Sequence, residues 1–566
     1  MLSKYHDQID FDCPMSEYPR PQMVRDSYLC LNGPWNYTIT GQHRTCSGQA
    51  LVPFSLECEL GGGLEPLKAD EELIMEKEVI LPEGFNRGKV LLHLDAVDAF
   101  CDVYVNQKQV ASSQCGYLPV VCDITDALAE TNLIKVVIQD PTEQKGQMRG
   151  KQSSDPKGIW YTAQSGLWQS AWLESAPEHY ITSLKMTPHF DEKELELTIN
   201  TNHGGKAQVE LEGQFYEVNT NEAVRLCVNE LHPWSPDTPY LYDFKVQFEQ
   251  DCISSYFAMR KYSIEKDKDG IKRLFLNNKP LFHTGLLDQG YLSETLLSWP
   301  CDQAMIDDIM AAKSMGFNML RKHIKVEPLR WYYHCDRLGM LVWQDMVSGG
   351  GPYNKFTINL PLFTDIHYKD NLYWLFGRRT ESEKQQWLKD FKGIIDHLYN
   401  VPSIAMWVIF NEGWGQFDVK NAYALLKSWD TSRTIIPCSG WHDQKIGDVR
   451  SWHVYFRPYR FKKDPLDRCV ILSEFGGYQL PVQGHLVSEE PYGYKAIQNS
   501  AHLEAELTEL YANQILPGKK QGLSASVFTQ LTDVEREVNG LITYDRKVLK
   551  INPDVMKALN EALNQE

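Results

Sequence analysis

Asn400-Val401-Pro402-Ser403-Ile404-Ala405-Met406-Trp407-Val408-Ile409-Phe410-Asn411-Glu412 holds an unbroken apolar run, Ile404 to Phe410, closed by an amide and a carboxylate. The run alternates with nothing polar, so it reads as a strand covered on both faces. Similar runs flank it: Asn318-Met319-Leu320-Arg321, Met340-Leu341-Val342-Trp343, Thr434–Pro437, Val449–Trp452, Cys469–Leu472 and Ser524–Thr529. Counting Leu281–Leu286 as the first gives eight strands separated by helical stretches. Met305, Ile306, Ile309, Met310 and Ala312 predict one helix face that stops at Gly316, and Pro328 opens a helix running to Gly339. Eight such units predict a (β/α)8 barrel over residues 263–566, with a doubly wound sheet as the alternative that periodicity leaves open. A barrel places its working residues at the C-terminal ends of strands. Arg321-Lys322-His323, Asn411-Glu412, His453-Val454-Tyr455 and Ser473-Glu474 all close apolar runs.

Toward the N-terminus the pattern is β throughout. Val90–Asp95, Asp102–Val105 (followed by the turn pair Asn106-Gln107) and Leu133–Ile138 predict a β-sandwich, placed at residues 1–175. Leu195, Leu197 and Ile199 alternate with polar residues, as do Val209 and Leu211, with Gly204-Gly205 as the turn between; an immunoglobulin-like sandwich is placed at 176–262.

Bulk composition narrows the class. The formal net charge of −18 argues against a nucleic-acid or anionic-membrane partner. No stretch approaches the roughly 18 apolar residues of a membrane span, and Met1–Gln8 lacks a signal-peptide core. The 13 cysteines are scattered without a Cys-x-x-Cys pair and read as free thiols in a reducing cytoplasm. No metal or other cofactor is expected. The 15 Trp, 28 Tyr and 22 Phe suit the stacking of sugar C–H faces, and suit a large β-rich core equally.

Two strand-end carboxylates, Glu412 and Glu474, fit the pair that hydrolyses a glycoside with retention, one protonating the leaving oxygen while the other attacks the anomeric carbon. On local pattern alone each is also compatible with a solvent-facing strand end. The larger pattern is more specific. Asn400 to Glu412 resembles the acid/base motif of glycoside hydrolase family 2, and Phe317–His323 through Asp336–Val342 resembles its other signature. Tyr18–Gln22, Leu31-Asn32-Gly33-Pro34-Trp35 and Ser165-Gly166-Leu167-Trp168-Gln169 look like that family's jelly-roll domain. Pro233-Trp234-Ser235-Pro236 and Pro239–Tyr242 look like its middle sandwich.

The resemblance implies Glu412 as general acid/base after strand four and Glu474 as nucleophile at strand seven. It further implies Asn411 on the hydroxyl next to the anomeric carbon, Tyr455 touching the nucleophile, and Arg321 as a fixed positive charge beside it. An ordinary core tyrosine and a structural ion pair are the plainer readings of the last two. His453, His323, His442, Trp441 and Asp288, each at or after an apolar run, complete the expected sugar contacts. Val401, Val408 and Phe528 depart from the family pattern, and Phe528 removes the Trp expected to end strand eight. Leu541, in Val538–Ile542, stands where glucuronidases of the family need a Lys for the sugar carboxylate. A β-galactoside is the first expectation, because that activity is common among the proteins the chain resembles, with β-glucuronide, β-mannoside or another β-glycoside as alternatives; a carbohydrate-binding protein without catalysis is the non-enzyme alternative. The insertion from Ser348-Gly349-Gly350-Gly351-Pro352-Tyr353 to about Thr380 is too long for a connector. It is expected to shape the pocket through Tyr353, Tyr373 or Trp374, or to serve a homo-oligomer contact.

Overall fold

The computed structural model describes residues 1–144, 146–364 and 366–565. Eight parallel strands form the barrel: His283–Asp288, Met319–Lys322, Leu341–Asp345, Ile404–Asn411, Thr434–Ser439, Val449–Val454, Cys469–Gly476 and Leu523–Thr529. The first pairs with the eighth, Leu286 opposite Phe528, which closes the cylinder and excludes an open doubly wound sheet. Among the described residues only the fifth and sixth strands lack a backbone ladder; Gly440 N and Ser439 Oγ reach Ser451 Oγ across that seam, each at 3.4 Å. The strands extend past the apolar runs, because backbone pairing continues into the polar residues that follow them. Asn411 pairs with Ser439, and Glu474 with His453.

The first barrel helix, Asp302–Ser314, buries Ala304, Met305, Ile309 and Ala312 but leaves Met310 at 45% exposure, so Met310 is not on the core face. The second, Leu329–Leu338, starts after Pro328 and stops at Gly339 in the left-handed conformation (φ 73°). A side chain at 339 would also meet the Pro236 carbonyl at 2.4 Å.

Two antiparallel sheets of six and four strands make the N-terminal jelly-roll sandwich, and sheets of three and four strands make the immunoglobulin-like one. Trp234 of the Pro-Trp-Ser-Pro motif inserts fully and donates from Nε1 to the Asp336 carbonyl at 2.7 Å. Asp336 then ties three elements together. Its carboxylate accepts from Tyr256 Oη at 2.8 Å and from Ser403 N, at the mouth of strand four, at 2.9 Å. Replacing Asp336 by Ala leaves two buried donors unpaired and is expected to cost roughly 2–4 kcal/mol. Urea unfolding measures it, and a loss below about 1 kcal/mol would contradict this role.

The sandwich nearest the N-terminus is strapped to the insertion after strand three. Arg149 N and Gly150 N both donate to Ser348 O at 3.0 Å. A side chain at Gly349 would stand 2.2 Å from the Gln147 carbonyl, which is why glycine occurs there. Among the described residues no helix is long and apolar enough to cross a membrane.

Candidate active site

Glu412 follows strand four directly, with φ 50° and its N–H donating to Ser439 O at 3.0 Å. This left-handed turn swings the side chain inward from the barrel rim. Glu474 lies within strand seven, and one oxygen of each carboxylate comes within 4.8 Å of the other, with His453 Nδ1 in the same cluster. Among the described residues these three form the one His/Cys/Asp/Glu group compact enough for a metal ion. The 2.7 Å contact between His453 Nδ1 and Glu412 Oε1 is already a hydrogen bond.

The two carboxyls differ in their company. Glu474 Oε1 accepts from Arg321 Nη1 at 3.0 Å and Oε2 from Tyr455 Oη at 2.6 Å. Burial raises its pKa, and Arg321 and the Tyr455 hydrogen bond oppose that rise. Among the described residues the Glu412 carboxyl is hydrogen-bonded only by His453, and burial pushes its pKa up to about 7, with Lys151 and Arg321 pulling the other way. Burial keeps His453 neutral, its pKa down to about 4, so no imidazolium balances Glu412.

Arg321 is fully buried and spans the site. Besides Glu474 it grips Asp345 with two bonds, Nε–Oδ1 at 3.0 Å and Nη2–Oδ2 at 2.9 Å, and donates to Asn411 Oδ1 at 2.7 Å. That bond fixes the Asn411 amide with Nδ2 buried and lacking a partner among the described residues. His323 Nδ1 lies 2.8 Å from Asp345 Oδ2, and Tyr455 stacks on Tyr494 with centroids 4.0 Å apart.

Two of the other predicted sugar contacts, His442 and Asp288, are hydrogen-bonded to other groups. His442 accepts from Tyr368 N at its Nδ1 (3.2 Å) and reaches Thr357 O from Nε2 (2.9 Å), so it anchors the insertion. Asp288 is fully buried and bound to Lys322 Nζ at 2.7 Å and Gly290 N at 2.9 Å. Trp441 lies beside His453, centroids 6.3 Å apart. Phe528 packs inside against Phe475 and Gly476, where it offers no exposed platform. Leu541 is in the hydrophobic core. Of the insertion residues, Tyr353 lines the site wall, Tyr373 turns to Asp418 at 3.0 Å, and Trp374 faces solvent.

Residues not predicted from sequence complete the wall. Trp160 from the jelly roll meets Trp414 (5.1 Å) and Tyr353 (5.9 Å). Lys151, from the same domain, is buried with Nζ 4.9 Å from the Trp414 ring centroid, and that Nζ has no hydrogen bond or ion pair among the described residues. The charges acting on it are Glu537, Glu474 and Glu412, opposed by Arg321. Tyr161 Oη donates to Glu537 Oε2 at 2.5 Å and Asn539 Nδ2 to Oε1 at 3.0 Å. Asp345 had a signal in the sequence, since it closes an apolar run as Glu412 and Glu474 do. Lys151 and Trp160 lie in loops with no comparable mark.

A jelly roll, an immunoglobulin-like sandwich and a barrel with two carboxylates at its C-terminal face define a class of multidomain barrel proteins. The chain belongs to glycosyl hydrolases family 2: its TIM-barrel model matches residues 268–505, the family's sandwich model 179–260, and its galactose-binding-like N-terminal model 67–171. A β-galactosidase of Leuconostoc mesenteroides is 26% identical over 379 residues, covering 61% of this chain and 33% of the relative, so the chain spans a third of that protein's length. In fold the chain is similar to a β-D-glucuronidase from Dictyoglomus thermophilum (TM-score 0.74, 17% identity, 97% and 99% of the two chains). A β-galacturonidase from Eisenbergiella tayi is similar too (TM-score 0.71, 18% identity, 97% and 98%).

Proposed function

We propose that the chain is a retaining, exo-acting β-glycosidase in which Glu412 is the general acid/base and Glu474 the nucleophile. The observation that carries this reading is the carboxylate spacing. Oxygens within 4.8 Å suit direct attack on the anomeric carbon, which needs carboxyls about 5–5.5 Å apart; inversion needs about 6.5–9.5 Å to admit a water. In the first step Glu412 gives its proton to the departing oxygen while Glu474 forms a glycosyl ester. In the second, Glu412 takes a proton from water as that water releases the sugar. Arg321 and Tyr455 favour ionised Glu474, and the free Asn411 Nδ2 is a donor for the hydroxyl beside the reacting carbon. A panel of nitrophenyl β-glycosides tests the reading, with the product anomer followed by NMR. Turnover with β-product first is expected. No turnover of any member, or α-product first, overturns it.

Galactose is the proposed sugar, on the strength of the β-galactosidase relative. A β-uronide is the second reading, favoured by Lys151, a buried cation at the site wall whose Nζ has no ion pair among the described residues. Lys151→Met separates them. If a uronide is the substrate, its kcat/KM falls about 100-fold, a loss of about 2.7 kcal/mol, while neutral glycosides change by less than about 10-fold. Equal small changes on both sugar types leave galactose as the sugar.

A further inference from the structure

Both ring nitrogens of His453 are engaged, which leaves neither for the sugar. Nδ1 lies 2.7 Å from Glu412 Oε1 and 3.4 Å from Glu474 Oε2, and Nε2 lies 2.9 Å from Ser439 Oγ. The side chain is fully buried in the seam between strands five and six, where Ser439, Ser451 and Ser473 form a hydroxyl cluster. Gly440 packs flat against the ring; a Cβ there would stand 2.6 Å from Nδ1 and 2.7 Å from Cγ. Glu412 Oε2 makes no hydrogen bond among the described residues.

Resting on the proposed roles of the two glutamates, we infer that His453 is a positioning residue: as a neutral Nδ1–H donor it pins Glu412 by Oε1 and leaves Oε2 to exchange the proton with the substrate. The tautomer follows from chemistry. Once Glu412 has given up its proton, a bare Nδ1 lone pair 2.7 Å from a carboxylate oxygen would be repulsive. An Nδ1–H suits both states of Glu412, and the Ser439 hydroxyl can rotate to donate to Nε2. A neutral imidazole orients without adding charge. A cation in its place would favour ionised Glu412, the direction in which Arg321 acts on Glu474. The other charges around Glu412 are Lys151, Arg321, Glu474 and Glu537.

Two measurements test this. Asn at 453 can present Nδ2–H where Nδ1–H stands, whereas Phe cannot. With alkyl glycosides, whose leaving oxygen needs the proton, His453→Phe is expected to lower kcat/KM about 100-fold and His453→Asn less than about 10-fold. With a dinitrophenyl glycoside, whose leaving group departs unprotonated, both stay within about 10-fold. Equal losses on both leaving groups, or no rescue by Asn, overturn the assignment. The second measurement needs no turnover and so is independent of the proposed activity. In protein labelled with 13C at the Glu carboxyl carbon, the Glu412 titration is identified by its loss in Glu412→Gln. It should move to higher pH in His453→Phe, which removes a donor to the carboxylate. An unmoved titration overturns the role even if glycosides are hydrolysed; a moved titration in a protein that hydrolyses none upholds it and places the failure in the proposed activity.

Discussion

Glu474→Gln is expected to lower kcat/KM on the best substrate by on the order of 10^5-fold, about 7 kcal/mol of transition-state stabilisation. The amide keeps the shape but cannot form the glycosyl ester. It also turns an NH2 or a neutral oxygen toward Arg321 Nη1, which Glu474 Oε1 meets at 3.0 Å. Arg321 retains Asp345, so the barrel should stay folded, with thermal melting close to wild type. A 2-fluoro glycoside with a good leaving group should label the wild type on the peptide containing Glu474 and leave Glu474→Gln unlabelled. Activity within tenfold of wild type, or label on another residue, would remove Glu474 from the mechanism.

Glu412→Gln should divide substrates by leaving group. Alkyl glycosides are expected to lose about 10^3–10^4-fold in kcat/KM, because no acid remains to protonate the departing oxygen. Dinitrophenyl glycosides still form the ester, which then accumulates for want of a base, so kcat and KM fall together. The pH profile carries the same logic. Glu412 acts as an acid only when protonated, and burial sets its pKa at about 7. Wild-type kcat/KM should therefore decline as pH rises through about 7, tenfold per unit above it, and Glu412→Gln should lose that limb. A limb that survives the substitution belongs to another group.

The extent to which the site was legible in sequence follows the range of the forces that make it. Ile404–Phe410 and Cys469–Leu472 mark buried strands by composition alone, and Asn411, Glu412 and Glu474 stand out because a polar group ending such a run is costly unless something receives it. Gly339 likewise announces a helix end. Met310 misled, because a helix face is defined by what packs on it, and at 45% exposure nothing large does.

Chain order thus suffices for the eight-strand barrel behind two sandwiches, and for two carboxylates at strand ends, since strand period, helix caps and apolar runs are local properties. Closure of the cylinder decides the rest. Only the fold brings Arg321 onto Asp345, Asn411 and Glu474 at once, and only the fold carries Lys151 and Trp160 from the jelly roll to the wall of a site built on the barrel. Tertiary contact also separates the histidines that sequence grouped together: His442 fastens the insertion, and His453 lies against Glu412. A histidine's partner is set by which strands adjoin, and that contact lies far beyond the reach of any local pattern.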